Sequence, residues 1–140
     1  MHKRTVLVLA TLSFFIRPAF AAETIVGHET EKYFLSDGRM QRFEGQYEYT
    51  YLLEGDKITR TRVYDFQTRK IMPDNTIYQV QKQLNSDPDN SLRYGTEPVI
   101  RAFGQPDPDS VEMLVIEDGF VNICKSTSKN VVVSRATRLR

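Results

Sequence analysis

The stretch QYEYTYLLEGDKITRTRVYDF, residues 46–66, decides the fold. Tyr47, Tyr49, Tyr51 and Leu53 alternate with Glu48, Thr50 and Leu52. Side chains two apart share one face of an extended strand, so this period predicts a β-strand over 46–53 with a tyrosine-rich face. Glu54-Gly55-Asp56 closes it, and Lys57–Phe66 resumes in β-branched and aromatic residues. The Gly/Asp pair supplies the positive φ of a tight hairpin. Two registers are open. A two-residue Gly55-Asp56 loop suits a type II′ turn and sets Leu53 against Ile58, Tyr51 against Arg60, Tyr49 against Arg62 and Tyr47 against Tyr64. A loop that includes Glu54 shifts every partner, setting Tyr51 against Thr59, Tyr49 against Thr61 and Tyr47 against Val63, with Glu48 facing Arg62 on the other side. The first register stacks guanidinium groups on tyrosine rings, each contact worth roughly 0.5–2 kcal/mol. The second gives an ordinary Tyr/Thr/Val core.

Outward from this hairpin the same chemistry recurs. Leu35-Ser36-Asp37-Gly38 and Ile116-Glu117-Asp118-Gly119 repeat the aliphatic residue before a Gly/Asp pair, without alignable flanks. Strands are expected at 32–35, 39–43, 57–66, 76–84, 111–117, 120–125 and 131–139, with a turn at Met72-Pro73-Asp74-Asn75 and a short helix as the alternative for 76–84. Ala22–Thr30 reads as a disordered leader or an edge strand. Antiparallel hairpins in sequence order make a meander, and a lone flat meander leaves long edges open to pairing. The expected fold class is therefore all-β: a small antiparallel barrel of roughly seven to nine strands, with a sandwich as the alternative. In outline such a barrel resembles the calycin or lipocalin-like shape, as a shape alone: their Gly-x-Trp is absent, since the chain has no tryptophan.

Two segments differ from the rest. Asn85–Ser110 holds four of the six prolines and many Asp and Asn residues. It is expected to be an irregular connection, at about 85–110, where a binding loop would sit; Val99–Phe103 within it reads as a short strand or one helical turn. At the start, His2, Lys3 and Arg4 precede a short apolar run to Ile16, and Ala19-Phe20-Ala21 has small residues at the positions a signal peptidase reads. The run is shorter than the roughly 20 residues a spanning helix needs. Residues 1–21 are therefore expected to be a signal peptide, and 22–140 a single exported β domain without a transmembrane segment. Its location is expected to be the bacterial periplasm or outside the cell, since no Asn-x-Ser/Thr triplet occurs and Cys124 is the only cysteine. Without the leader's three basic residues the chain has 16 basic against 18 acidic residues, a net charge of −2.

The chemistry of catalysis is sparse. His28 is the only histidine after the leader. A triad needs a base held beside a nucleophile, and a His28–Cys124 pair is the one candidate. One His and one Cys cannot make the usual zinc set. Asp87-x-Asp89-x-Ser91 and the cluster Asp107, Asp109 and Glu112 have oxygen ligands, but neither keeps the glycine of a calcium loop. No catalytic residue, metal site or cofactor is therefore assigned. Basic residues gather at Lys57–Lys70 and Lys125–Arg140; as neighbours they would make a positive patch. Nucleic acid is not an expected partner. The expected function is a non-enzymatic cell-envelope protein that binds a small apolar or anionic ligand inside its barrel, with Tyr47, Tyr49, Tyr51, Arg60, Arg62, Tyr64 and Tyr78 at the site. The alternative is a protein–protein interaction module, an adaptor or inhibitor. A cavity of ~300 Å³ or more among the tyrosines favours the first, and a filled core the second.

Overall fold

The computed structural model describes residues 22–81 and 99–140; the leader and most of the Pro/Asp-rich connection lie outside the described residues. Among the described residues nine strands run in chain order: β1 Glu23–Ser36, β2 Arg39–Glu44, β3 Tyr47–Glu54, β4 Lys57–Asp65, β5 Lys70–Val80, β6 Ile100–Gly104, β7 Ser110–Ile116, β8 Phe120–Thr127 and β9 Asn130–Leu139. β2 and β3 both pair antiparallel with β1, each strand from β3 on pairs antiparallel with the next, and β9 returns to pair with β1, which closes the sheet. β2 and β3 follow one another along the same side of β1, against Glu31–Ser36 and Glu23–His28 respectively. They occupy one position around the ring, so the molecule is a closed eight-stranded barrel. Among the described residues no helix is long and apolar enough to cross a membrane.

The expected strands at 32–35 and 39–43 form the β1–β2 hairpin, whose Asp37 and Gly38 both take positive φ, as a two-residue hairpin turn requires. Gly55 likewise lies at φ 62° at the tip of the β3–β4 hairpin. Two expectations need correction. Ala22–Thr30 is neither leader nor edge: Glu23–Thr30 is the first half of β1, and Val26–His28 is paired on both sides, by β3 and β9. Gly27 disguises it in the sequence, yet glycine fits because a Cβ there would meet Ala136 at 3.2 Å and Val121 at 3.4 Å. The turn expected at 72–75 lies at 66–69 instead, where the Asp65 carboxylate accepts the amides of Gln67 and Thr68. Pro73-Asp74-Asn75 is an irregularity inside β5, opposite Thr61, and proline is tolerated at such a break in the ladder. Val99–Phe103 resolves to strand β6.

The interior divides into two halves. At the end where β3 turns into β4 and β7 into β8, Ile25, Ile58, Leu114, Ile116 and Val121 are buried. Toward the other end, here the mouth, the inward positions are Glu29, Tyr49, Arg60, Glu112 and Ser134, all buried. Small residues face the large ones: a Cβ on Gly104 would lie 2.6 Å from the Tyr78 ring, and Ala102 and Ala136 are wholly enclosed. This alternation fills a small barrel with its own side chains.

Candidate functional site

The β3–β4 hairpin begins in the first expected register and then passes into one that neither expectation gave; the register with Glu54 in the loop does not form. Leu53 opposes Ile58 and Tyr51 opposes Arg60, as the two-residue loop requires. The register then shifts between Thr50 and Tyr51, so that Thr50 opposes Arg62, Tyr49 opposes Val63 and Tyr47 opposes Asp65. One extra residue on β4 re-phases the strand. Arg60 points in, and beyond the bulge Val63 and Asp65 take the inward places that unbroken alternation would give to Arg62 and Tyr64. The expected pairs Tyr49–Arg62 and Tyr47–Tyr64 are thereby replaced.

Five of the seven candidate residues therefore meet inside. Ring centroids run Tyr47 to Tyr49 at 6.0 Å, Tyr49 to Tyr51 at 6.2 Å and Tyr51 to Tyr78 at 6.2 Å. The Arg60 guanidinium lies 5.8 Å from the ring centres of both Tyr49 and Tyr78. Arg62 and Tyr64 stand outside the barrel, where the Arg62 guanidinium sits 5.5 Å over the Tyr64 ring and Nη1 reaches Glu48 Oε1 at 3.5 Å.

Arg60 is matched by two carboxylates that the sequence did not single out for it. Its Nη1 donates to Glu112 Oε1 at 2.6 Å, and its Nε and Nη2 each lie 3.0 Å from Asp74 Oδ2. Tyr78 Oη donates to the same Glu112 oxygen at 2.6 Å. Burial alone would lower the Arg60 pKa, but Glu112, Tyr78, Tyr51 and Asp74 together outweigh that and raise it, so the group stays charged. Burial pushes Tyr78 well up, reinforced by Glu112, and does the same to Tyr51 against the opposing pull of Arg60. Burial also works against the Asp74 carboxylate, yet hydrogen bonds from Thr76 and the Arg60 charge hold it below the usual range. The Tyr51 hydroxyl, buried beside this cluster, has no hydrogen-bond partner among the described residues.

A second buried carboxylate, Glu29, organises the kink between β2 and β3. Its Oε2 accepts the amides of Gln46 at 2.8 Å and Tyr47 at 3.3 Å, and its Oε1 accepts the Tyr49 hydroxyl at 3.2 Å. Lys32 Nζ lies 3.5 Å from Glu29 and 4.5 Å from the Tyr47 ring centre. Burial, with Glu29 next, pushes Tyr49 well up.

At the mouth an open groove of about 730 Å³ lies between β5 and the β6–β7 loop. Arg60, Asp74, Thr76, Gln105, Asp107 and Lys125 line it. Lys125 Nζ and Ser110 Oγ bind Asp107 Oδ2 at 2.6 and 2.8 Å, and the Lys125 bond first, then that of Ser110, lowers the Asp107 pKa. The two lining cations thus already face carboxylates.

The remaining candidates separate. His28 packs on Phe66 at 4.6 Å between ring centres. Cys124 lies level with Val133 and Tyr33, about five residues along β1 from His28 and so on the order of 15 Å away. The sheet does not bring that pair together. Asp107 turns to Lys125 and Glu112 to Arg60, and among the described residues no three His, Cys, Asp or Glu side chains gather as metal ligands would. The basic segments do not merge: β3 and β1 separate β4 from β9, and Arg62, Arg138 and Arg140 each pair with an acid.

One feature of the outer surface escaped sequence reading. The registers line up Phe103, Met113, Cys124, Val133 and Tyr33 in one row across β6, β7, β8, β9 and β1. The adjoining row runs Val111, Ser126, Val131 and Leu35. Phe103, Val111, Val133 and Leu35 are 41–53% exposed. Each residue alone reads as ordinary strand alternation; only the register joins them. Comparison of the chain with protein-family models, with curated proteins and with solved structures found no match.

Proposed function

We propose that this chain is a non-catalytic interaction module that works after export, in the bacterial cell envelope, and docks on protein through the apolar outer face of β7, β8 and β9. The observation that carries this is the filled interior. Tyr51 and Tyr78 are fully enclosed, and Arg60 between them is held by Glu112 and Asp74. An anion entering the barrel would have to displace two carboxylates from a buried guanidinium, and breaking a buried pair costs several kcal/mol. Outside, the uncharged rows through Met113, Cys124 and Val133 form a contiguous patch of the kind that marks interaction sites. The leader pattern at residues 1–21 supports export.

Native mass spectrometry of the protein recovered from the periplasm of a bacterium expressing the full chain tests the proposal. A retained polypeptide, lost in Val133→Lys and kept in Tyr49→Phe, is expected. A retained small molecule, lost in the Tyr49 variant, would overturn it. A second reading rests on the mouth groove: with its lining charges already paired, it suits a polar hydrogen-bonding ligand better than a free anion.

A further inference from the structure

We propose that the partner of the β7–β8–β9 face is a second copy of this chain, packed face to face about a two-fold axis that runs along β8 past Cys124. The inference rests on reading that face as a docking surface, and it adds the occupant.

The residues on the axis permit close approach. The outward positions of β8 are Phe120, Asn122, Cys124 and Ser126, all uncharged, so each can face its own copy without like-charge repulsion; the last three are short, and the bulky Phe120 stands at the far rim. A two-fold axis along β8 exchanges β7 with β9. Register then sets Met113 of one copy toward Val133 of the other, and Val111 toward Val131. Apolar meets apolar on both sides of the axis. At the mouth-side rim the exposed Asp109, just before β7, comes opposite the exposed Lys129, just before β9. An isologous interface makes every such contact twice, so two opposite-charge pairs flank the apolar strip. At the far rim Arg135 is held over the Phe120 ring, 3.9 Å from its centre, and comes toward the uncharged Val115. The opposite side of the barrel lacks this complementarity: β3 and β4 turn out Glu48, Thr50, Thr61 and Arg62.

The curvature of the barrel limits the contact. Three strands spaced about 4.8 Å and some seven residues long project to roughly 300 Å². A tight complex buries about 800 Å² per partner, so the dimer is a weak and transient one. Phe103 and Tyr33 fall on the flanks, where the two convex surfaces diverge.

Sedimentation equilibrium of the exported protein, from about 1 µM to about 300 µM, tests this. A monomer–dimer equilibrium is expected, weakened at least ~10-fold by Asp109→Lys and restored by Asp109→Lys with Lys129→Asp. Both positions are exposed, so the swap tests charge and not folding. As a second readout, diamide is expected to link Cys124 to its copy: two thiols form one disulfide, and their two protons and two electrons pass to diamide. A monomer throughout the range would overturn the inference. So would a dimer indifferent to the charge swap and to Val133→Lys. A monomer that still retains a different polypeptide in native mass spectrometry would remove this occupant and leave the proposed function standing.

Discussion

Arg60 is the most informative residue to perturb. Its side chain is 9% exposed, and that of Glu112 is 4% exposed. Changing Arg60→Met keeps bulk but leaves the Glu112 carboxylate buried with only the Tyr78 hydroxyl as partner. Removing one member of a buried ion pair costs about 3–5 kcal/mol. A domain of this size is stable by about 5–15 kcal/mol, so the variant should stay folded with a large deficit. At a urea m-value near ~2 kcal/mol per molar, the midpoint should fall by about 2 M. The melting temperature should fall on the order of 15–25 °C. Circular dichroism across a urea series reads this directly. The triple change Arg60→Met, Glu112→Leu, Tyr78→Phe removes the stranded carboxylate together with the hydroxyl that would lose its acceptor. It should recover most of the loss, because apolar replacement of a buried ion pair is often neutral and the partly exposed Asp74 keeps its bond from the Thr76 amide. A single-variant loss below ~1 kcal/mol would refute the assignment, as would a triple variant no more stable than the single.

Gly45→Ala would drive a methyl group into the backbone carbonyl of Glu29, and should cost about 3 kcal/mol or more in urea unfolding; a loss under ~1 kcal/mol would mean that the kink relaxes freely. Tyr49→Ala and Arg62→Ala should add within ~0.5 kcal/mol, because the bulge puts them on opposite faces; a measurable coupling would bring the unbulged register back. Asp74 and Asp107 have lowered pKa values, so the stability they contribute is complete above the ordinary carboxylate range near pH ~4 and drains as pH falls below it. Asp74→Asn should flatten that acid limb in a pH series of urea midpoints, and an unchanged limb would count against the pairing with Arg60. At the other extreme, Tyr49, Tyr51 and Tyr78 have raised values, so stability is full below pH ~10 and is lost above it, as the unfolded chain ionises first. Tyrosinate absorbance should show these rings ionising only with unfolding.

What the sequence disclosed was mostly local. The alternation Tyr47-Tyr49-Tyr51-Leu53 reports a half-buried strand because only its own pleat is needed to read it. The Gly55-Asp56 turn is legible for the same reason. The bulge at Thr61 is not, because it arises where β4 meets two partners, with Tyr51 on one side and the irregular Pro73–Asn75 segment on the other. β1 was hidden by Gly27 and Glu29, which break an apolar pattern; their reasons lie in Ala136 and Val121 on the adjoining β9 and β8 and in the amides of Gln46 and Tyr47. Glu112 carried a usable signal, since it is in phase with the buried Leu114 and Ile116. An acid on an apolar face asks for a buried partner, and Arg60 on the tyrosine face offered one. The outer apolar rows required the registers of five strands together.

The seam between β1 and β9 joins Val26 to Leu139 and Ser36 to Asn130. The first strand of the ring therefore waits for the last, and about a hundred residues must be synthesised and gathered before the cylinder shuts. Folding dominated by such distant pairings runs in milliseconds to seconds, far slower than forming a local hairpin. Throughout that interval two bare ladders of amides and carbonyls stand open to any passing strand. A companion that shields nascent β1 would serve this polypeptide most during its own completion, and least once the last strand has docked.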